Sequence, residues 1–155
     1  MRFTLGRRLA SRAAAVALAI GAAVFSVQSP SMADDSYFTW CGSSNVSCQT
    51  GVQVSGPSGQ DTCLTDPNRN TRVCINYAGD IVYVRDGSED THSAMALITA
   101  SAGVADRWCR NPHGVGSWAR CNFDWSETAN KNVYGGVRIN AGDARITYLW
   151  SFVNG

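Results

Sequence analysis

The sequence predicts an all-β fold, an antiparallel β-sandwich or small barrel of about seven or eight short strands stapled by disulfides. Three observations carry that expectation. Short segments rich in β-branched and aromatic residues alternate with turns built from Gly, Asn, Asp and Pro. Six cysteines, an even number, all follow a leader of the export type. No long helical periodicity interrupts the series.

The strand segments are Gly51 to Val54, Thr71 to Tyr77, Ile81 to Arg85, Val104 to Arg110, Ser117 to Phe123, Val133 to Ile139 and Ala144 to Phe152. In the last of these, Ile146, Tyr148, Trp150 and Phe152 alternate with Arg145, Thr147, Leu149 and Ser151, so a strict period of two turns those four side chains toward the core. Ala78-Gly79-Asp80 and Asn140-Ala141-Gly142-Asp143 supply the residues that tight hairpin turns require. Thr91 to Ala102 contains Ala, Met and Leu behind a potential helix cap at Asp90, but Ile98-Thr99 and the strand-like neighbours favour a further strand. Among the tryptophans, Trp40, Trp125 and Trp150 are the expected core residues, and Trp118 the expected surface one.

Residues 1–33 have the form of a removable signal peptide: Arg2, Arg7, Arg8 and Arg12 precede an uncharged run from Ala13 to Phe25, and Ser31-Met32-Ala33 forms a small-residue cleavage site. The apolar run is shorter than the roughly 20 residues of a spanning helix, so no membrane partner is expected. Leu9-Ala10-Ser11 after the Arg pair lacks the bulky apolar follow-up of a twin-arginine signal, which favours general secretion. Cleavage would remove four of the 13 basic residues and none of the 12 acidic ones, leaving residues 34–155 as a single domain with a net charge of −3. That balance argues against nucleic acid as a partner.

Cys41, Cys48, Cys63, Cys74, Cys109 and Cys121 admit 15 pairings. Each consecutive pair brackets a turn-rich stretch, which favours local pairs 41–48, 63–74 and 109–121, each read as a cross-strand staple on a hairpin. Rings of this size contribute roughly 3 kcal/mol each by the chain-entropy argument. No Cys-x-x-Cys pair occurs, and His92 and His113 lack ligand spacing, so no metal and no cofactor are expected.

If Cys109 and Cys121 face each other across one hairpin, Trp108, Arg110, Trp118 and Arg120 share its outer face. That face would be a ligand platform of flat aromatic rings beside Arg, or simply a set of local cation-π contacts. The same register opposes Asp106 and Asp124, a carboxylate pair with the potential for glycosidase chemistry. Asp86-Gly87-Ser88-Glu89-Asp90 is an acidic loop that reads as a solvated turn, since it lacks the ligand spacing of a calcium loop. His92 reads as a boundary residue, His113 as an exposed one at a loop tip, and neither belongs to a nucleophile motif.

Asp86-Gly87, Ser93-Ala94, Cys109-Arg110-Asn111, the Gly-x-Gly-x-Trp of Gly114 to Trp118, and Cys121-Asn122-Phe123 make the chain resemble small exported actinobacterial proteins of no established activity. The likeness spans Arg72 to Trp125, implies an exported β-protein, and transfers no catalytic residue. The leading functional expectation is therefore a secreted, extracellular, non-enzymatic binding protein that takes an extracellular polysaccharide or protein through Trp108, Arg110, Trp118 and Arg120. A secreted protease inhibitor presenting a rigid loop, Thr65 to Thr71 or Asn111 to Ser117, is the alternative. A small secreted hydrolase using Asp106 and Asp124 is the third. The sequence does not decide the oligomeric state.

Overall fold

The computed structural model describes Cys41, residues 43–140 and residues 142–154. Residues 1–33, read above as a signal peptide, and Trp40 lie outside the described residues. Ten strands occur among those described: β1 (Val46–Thr50), β2 (Val52–Val54), β3 (Thr62–Thr65), β4 (Arg72–Asn76), β5 (Ile81–Arg85), β6 (Ala94–Ala100), β7 (Asp106–Asn111), β8 (Trp118–Asn122), β9 (Lys131–Asn140) and β10 (Asp143–Phe152). The all-β sandwich expected from the sequence is what forms, with β1 and β3 as strands that propensity did not reveal and Thr91 to Ala102 contributing strand β6. No described helix is long and apolar enough to cross a membrane.

One sheet has the order β1-β7-β6-β9-β10, the other β2-β8-β5-β4-β3. Pairing is antiparallel except between β1 and β7, which run parallel. The chain passes from the first sheet to the second at Gly51, between β1 and β2. Any side chain there would collide with Ala119, since an added Cβ would lie 2.8 Å from the Ala119 Cβ. Only glycine lets the crossing strand come that close.

Val73, Ile75, Val82, Val84, Ala96, Ile98 and Val133 fill the space between the sheets. A second, smaller cluster of Met95, Leu97 and Trp108 lies on the other side of the first sheet, packed against Cys41, Val46, Cys48, Tyr134 and Ile146. Strand β6 is thus covered on both faces. That explains why its sequence is an unbroken apolar run rather than an alternating one, the feature that made it look helical.

Strand β10 departs from its sequence pattern for a specific reason. Tyr148 pairs with Tyr134, but the next paired residue is Trp150, opposite Val133, so Leu149 is an inserted residue in a β-bulge. The bulge switches faces: Ile146 joins the outer cluster, Tyr148 is 53% exposed, and Leu149, Trp150 and Phe152 pack on the main core. The single core face predicted for Ile146, Tyr148, Trp150 and Phe152 is therefore split in two. Trp125 is buried as expected, and Trp150 is partly buried against the core.

The three disulfides pair Cys41 with Cys48, Cys63 with Cys74, and Cys109 with Cys121. Cys63 and Cys74 are direct cross-strand partners in the β3–β4 hairpin. The 109–121 bond differs from its expected role, because β7 and β8 belong to different sheets. It is a tie between sheets through the core, not a staple along a hairpin.

Candidate binding site

The inter-sheet tie removes the premise on which the Trp and Arg platform was built. Cys109 and Cys121 both point into the sandwich, so their neighbours on each strand point away from it, in opposite directions. Trp108 and Arg110 lie on the outer side of the first sheet, Trp118 and Arg120 on the outer side of the second. Trp108 is 2% exposed, under the Arg138 guanidinium 4.9 Å from its ring, and Arg110 is buried with Nε donating to Ser93 Oγ. Trp118 and Arg120 are partly exposed, opposite Val54 and Val52 of β2. No shared platform of these four residues exists. The opposition of Asp106 and Asp124 fails with the same register: Asp106 sits on β7 in the first sheet, whereas Asp124 follows β8 in the second.

What the fold does bring together is three loops at one end of the sandwich, the 66–71, 86–93 and 112–117 connections. Each is shaped by a buried polar residue at a strand end. Asp66 accepts the amides of Asn68 and Arg69 and so curls the first loop. Asn111 braces the third, its Nδ2 donating to Val84 O and Ser117 O while its Oδ1 accepts from His113 N and Ser117 Oγ. Both loops are tight turns, with Asn70 N bonded to Asp66 O and Ser117 N to Gly114 O, and Asn70 and Gly116 at positive φ. An extended, substrate-like backbone is not what Thr65 to Thr71 or Asn111 to Ser117 presents.

The middle loop is clamped between the other two. Ser117 O accepts the Asp86 amide, Asp86 O accepts the Gly116 amide, and Ser88 Oγ donates to Arg69 O. Gly87 lies so close to the 66–71 loop that an added Cβ would stand 2.2 Å from Asn70 O. Gly87→Ala must push the loops apart, and the expected cost is about 2 kcal/mol, a drop of about 8 °C in Tm. Thermal unfolding followed by circular dichroism checks it.

Between the 86–93 and 112–117 loops is a pocket of about 220 Å³. Asp86 lines it and is only 4% exposed. One carboxylate oxygen, Oδ1, accepts the Ser88 amide, while Oδ2 accepts from no described residue. Glu89, Asp90 and His92 also line the pocket, with Asp90 tied to Arg69 at 3.4 Å and to the His92 amide. Thr91, a β-branched residue, sits on the rim at φ 64°, a conformation held only by its surroundings.

Burial raises the Asp86 carboxyl above its ordinary range, and the neighbouring Asp90 adds to the rise against the Ser88 amide and Arg85, which oppose it. A carboxylate whose folded value is raised gives stability that is complete below the unfolded value and is lost as pH rises through the folded one. Asn has no proton to lose. Asp86→Asn is therefore expected to leave Tm nearly unchanged at pH 3 and to raise it at pH 7, by about 4 °C for each kcal/mol of relieved desolvation. Melting curves of both proteins across that range check the sign.

Sequence reasoning met this loop but not this site. Its acidic run was legible, yet a charged run reads as a solvated turn. The burial of Asp86 depends on the 66–71 and 112–117 loops, which no local pattern connects to it. The one usable signal was an Asp directly after the Ile81 to Arg85 strand and before Gly87. No group of three or more His, Cys, Asp or Glu side chains among the described residues is placed to hold a metal ion. No protein family, curated protein or solved structure matches the chain.

Proposed function

We propose that this chain is a secreted, non-enzymatic binding protein whose ligand enters the loop-end pocket around Asp86. The observation that carries this reading is the Asp86 side chain in the pocket lining, with Oδ1 accepting the Ser88 amide and Oδ2 accepting from no described residue. A carboxylate with a raised pKa that lines a pocket and keeps one oxygen free to accept is a group a ligand's donor can engage. Loops held by a rigid sandwich are where such sites are built. The leader-like residues 1–33 and the three disulfides support an extracellular setting. Kinship with small exported actinobacterial proteins, suggested by the Cys and Trp spacing, belongs to the same reading.

The partner in this reading is an extracellular polysaccharide or protein that inserts one small polar group. Cosedimentation with insoluble polysaccharides and cell-wall material tests it, run on the wild type, Asp86→Asn and Trp118→Ala. Retention lost in Asp86→Asn and kept in Trp118→Ala is the expected result. Retention lost only in Trp118→Ala would move the site to the outer side of the second sheet, and the pocket reading would fall.

A further inference from the structure

We infer that the outer face of the second sheet docks a partner protein through a peptide segment in which acidic residues are followed by apolar ones. The register of that sheet lines up Arg72, Arg85, Trp118 and Val54 as direct cross-strand neighbours on β4, β5, β8 and β2. Arg120 stands on the same face two residues along β8 from Trp118, opposite Val52. All six are at least partly exposed, Val52 by 71%. The middle of the face is closed, since Tyr83 is 4% exposed and donates its hydroxyl to Ser58 O, which reaches over it. The row at the loop end stays open. It shares no residue with the pocket lining around Asp86, so either site can exist without the other.

Charge selects the partner. Arg72 and Arg85 are directly opposed like charges, a pairing that destabilises a sheet unless an anion compensates it. None of the five strands of this sheet contains an Asp or Glu. Neither Arg72, Arg85 nor Arg120 forms an ion pair with a described residue, and Arg85 acts on Asp86 only through space. The face is thus cationic on a chain whose residues 34–155 carry a net charge of −3. A carboxylate laid over Arg72 and Arg85 would accept charge-assisted bonds of about 2.8 Å and remove the repulsion between them. The other half of the row, Trp118 and Val54 with Val52 beside them, is apolar. Three strand spacings of about 4.8 Å make the row about 14 Å long, the reach of four or five extended residues. An acidic glycan would meet the Arg pair and Trp118 but leave Val52 and Val54 uncovered. A peptide with acidic residues ahead of apolar ones covers both halves, with Trp and Arg as its anchors.

The test uses the full chain at pH 7, with the Arg85 amide and the Trp118 indole followed by NMR during titration. The probes are acetyl-Glu-Glu-Gly-Leu-Val-amide, a counterpart with Gln-Gln for Glu-Glu, a counterpart with Ser-Ser for Leu-Val, and an oligogalacturonate. The first peptide is expected to shift both signals in a saturable way and to bind about tenfold or more tighter than the other three. Arg72→Gln combined with Arg85→Gln should weaken that binding about tenfold or more, with Tm at or above that of the wild type because the opposed charges are gone. Arg145→Gln, on β10 of the first sheet, should leave binding unchanged. No saturable shift at millimolar peptide, equal binding of the Gln-Gln peptide, an equal loss in Arg145→Gln, or a lower Tm in the double variant overturns the inference. Tighter binding of the oligogalacturonate assigns the face to an acidic glycan, and shifts that grow with protein concentration alone assign it to a second copy of this chain. Either result overturns the peptide partner.

Discussion

Trp108→Ala should cost about 3 to 5 kcal/mol, the range for a fully buried tryptophan, and Trp118→Ala about 1 kcal/mol or less. Trp108 lies at 2% exposure in the cluster on the outer side of the first sheet, sandwiched between Met95, Leu97 and the Arg138 guanidinium. Removing the indole leaves a cavity that the β6 and β7 backbones, fixed by their ladders, cannot close. It also strips the Arg138 guanidinium of the ring beneath it. Trp118 is only partly buried, at the second sheet's outer side, and its loss leaves the main core intact. Urea unfolding of the two variants checks the contrast. Equal, small losses would mean that the two residues share one exposed face after all.

Replacing Cys109 and Cys121 together by Ala should lower stability by about 3 kcal/mol, or about 12 °C in Tm, from loop closure alone. The fold adds a consequence that a hairpin staple would not have. Both sulfurs lie in the main core, exposed by 0% and 1%, and join β7 of one sheet to β8 of the other. Loss of the bond should therefore raise hydrogen exchange in strands of both sheets, β6 and β5 included. Breaking the Cys63–Cys74 bond acts within one hairpin, and its exchange should rise mainly in β3 and β4. Exchange confined to the 112–117 loop in the 109–121 variant would contradict the inter-sheet role.

The all-β class, seven of the strands, β6 as an eighth and the disulfide pairs were legible because each rests on local chemistry: β-branched and aromatic segments, turn residues, and cysteines bracketing short loops. The partition of strands between sheets was not. A disulfide 12 residues in span fits a hairpin staple and an inter-sheet tie equally well, and only long-range pairing distinguishes them. From that single choice of register came the misplaced Trp and Arg platform and the Asp106 and Asp124 pair. The β10 pattern failed for a comparable reason, since a bulge at Leu149 inverts the alternation without any Gly or Pro to announce it. Asn111 illustrates the same limit. It reads as an ordinary turn residue, yet it is fully buried and bridges the 112–117 loop and β5 through its amide.

Lys131 shows how far such buried polar networks extend beyond the site. Its ammonium is enclosed near the Trp125 and Phe152 rings and donates to Ala129 O and Asn154 Oδ1, which ties the segment after β10 to the base of β9. There the ammonium's bonds all end on acceptors within the described chain, although the Trp125 Nε1 beside it is buried with no hydrogen-bond partner among the described residues.

The most direct measurement is the titration of the Asp86 carboxyl carbon by NMR in the ligand-free protein. The expected midpoint lies above the ordinary aspartate value of about 3.9, because burial disfavours the charged form by more than the Ser88 amide and Arg85 favour it, and Asp90 adds to the rise. A midpoint at or below that value would mean that the carboxylate is already satisfied in the free protein, and the pocket would lose its claim to be a binding site.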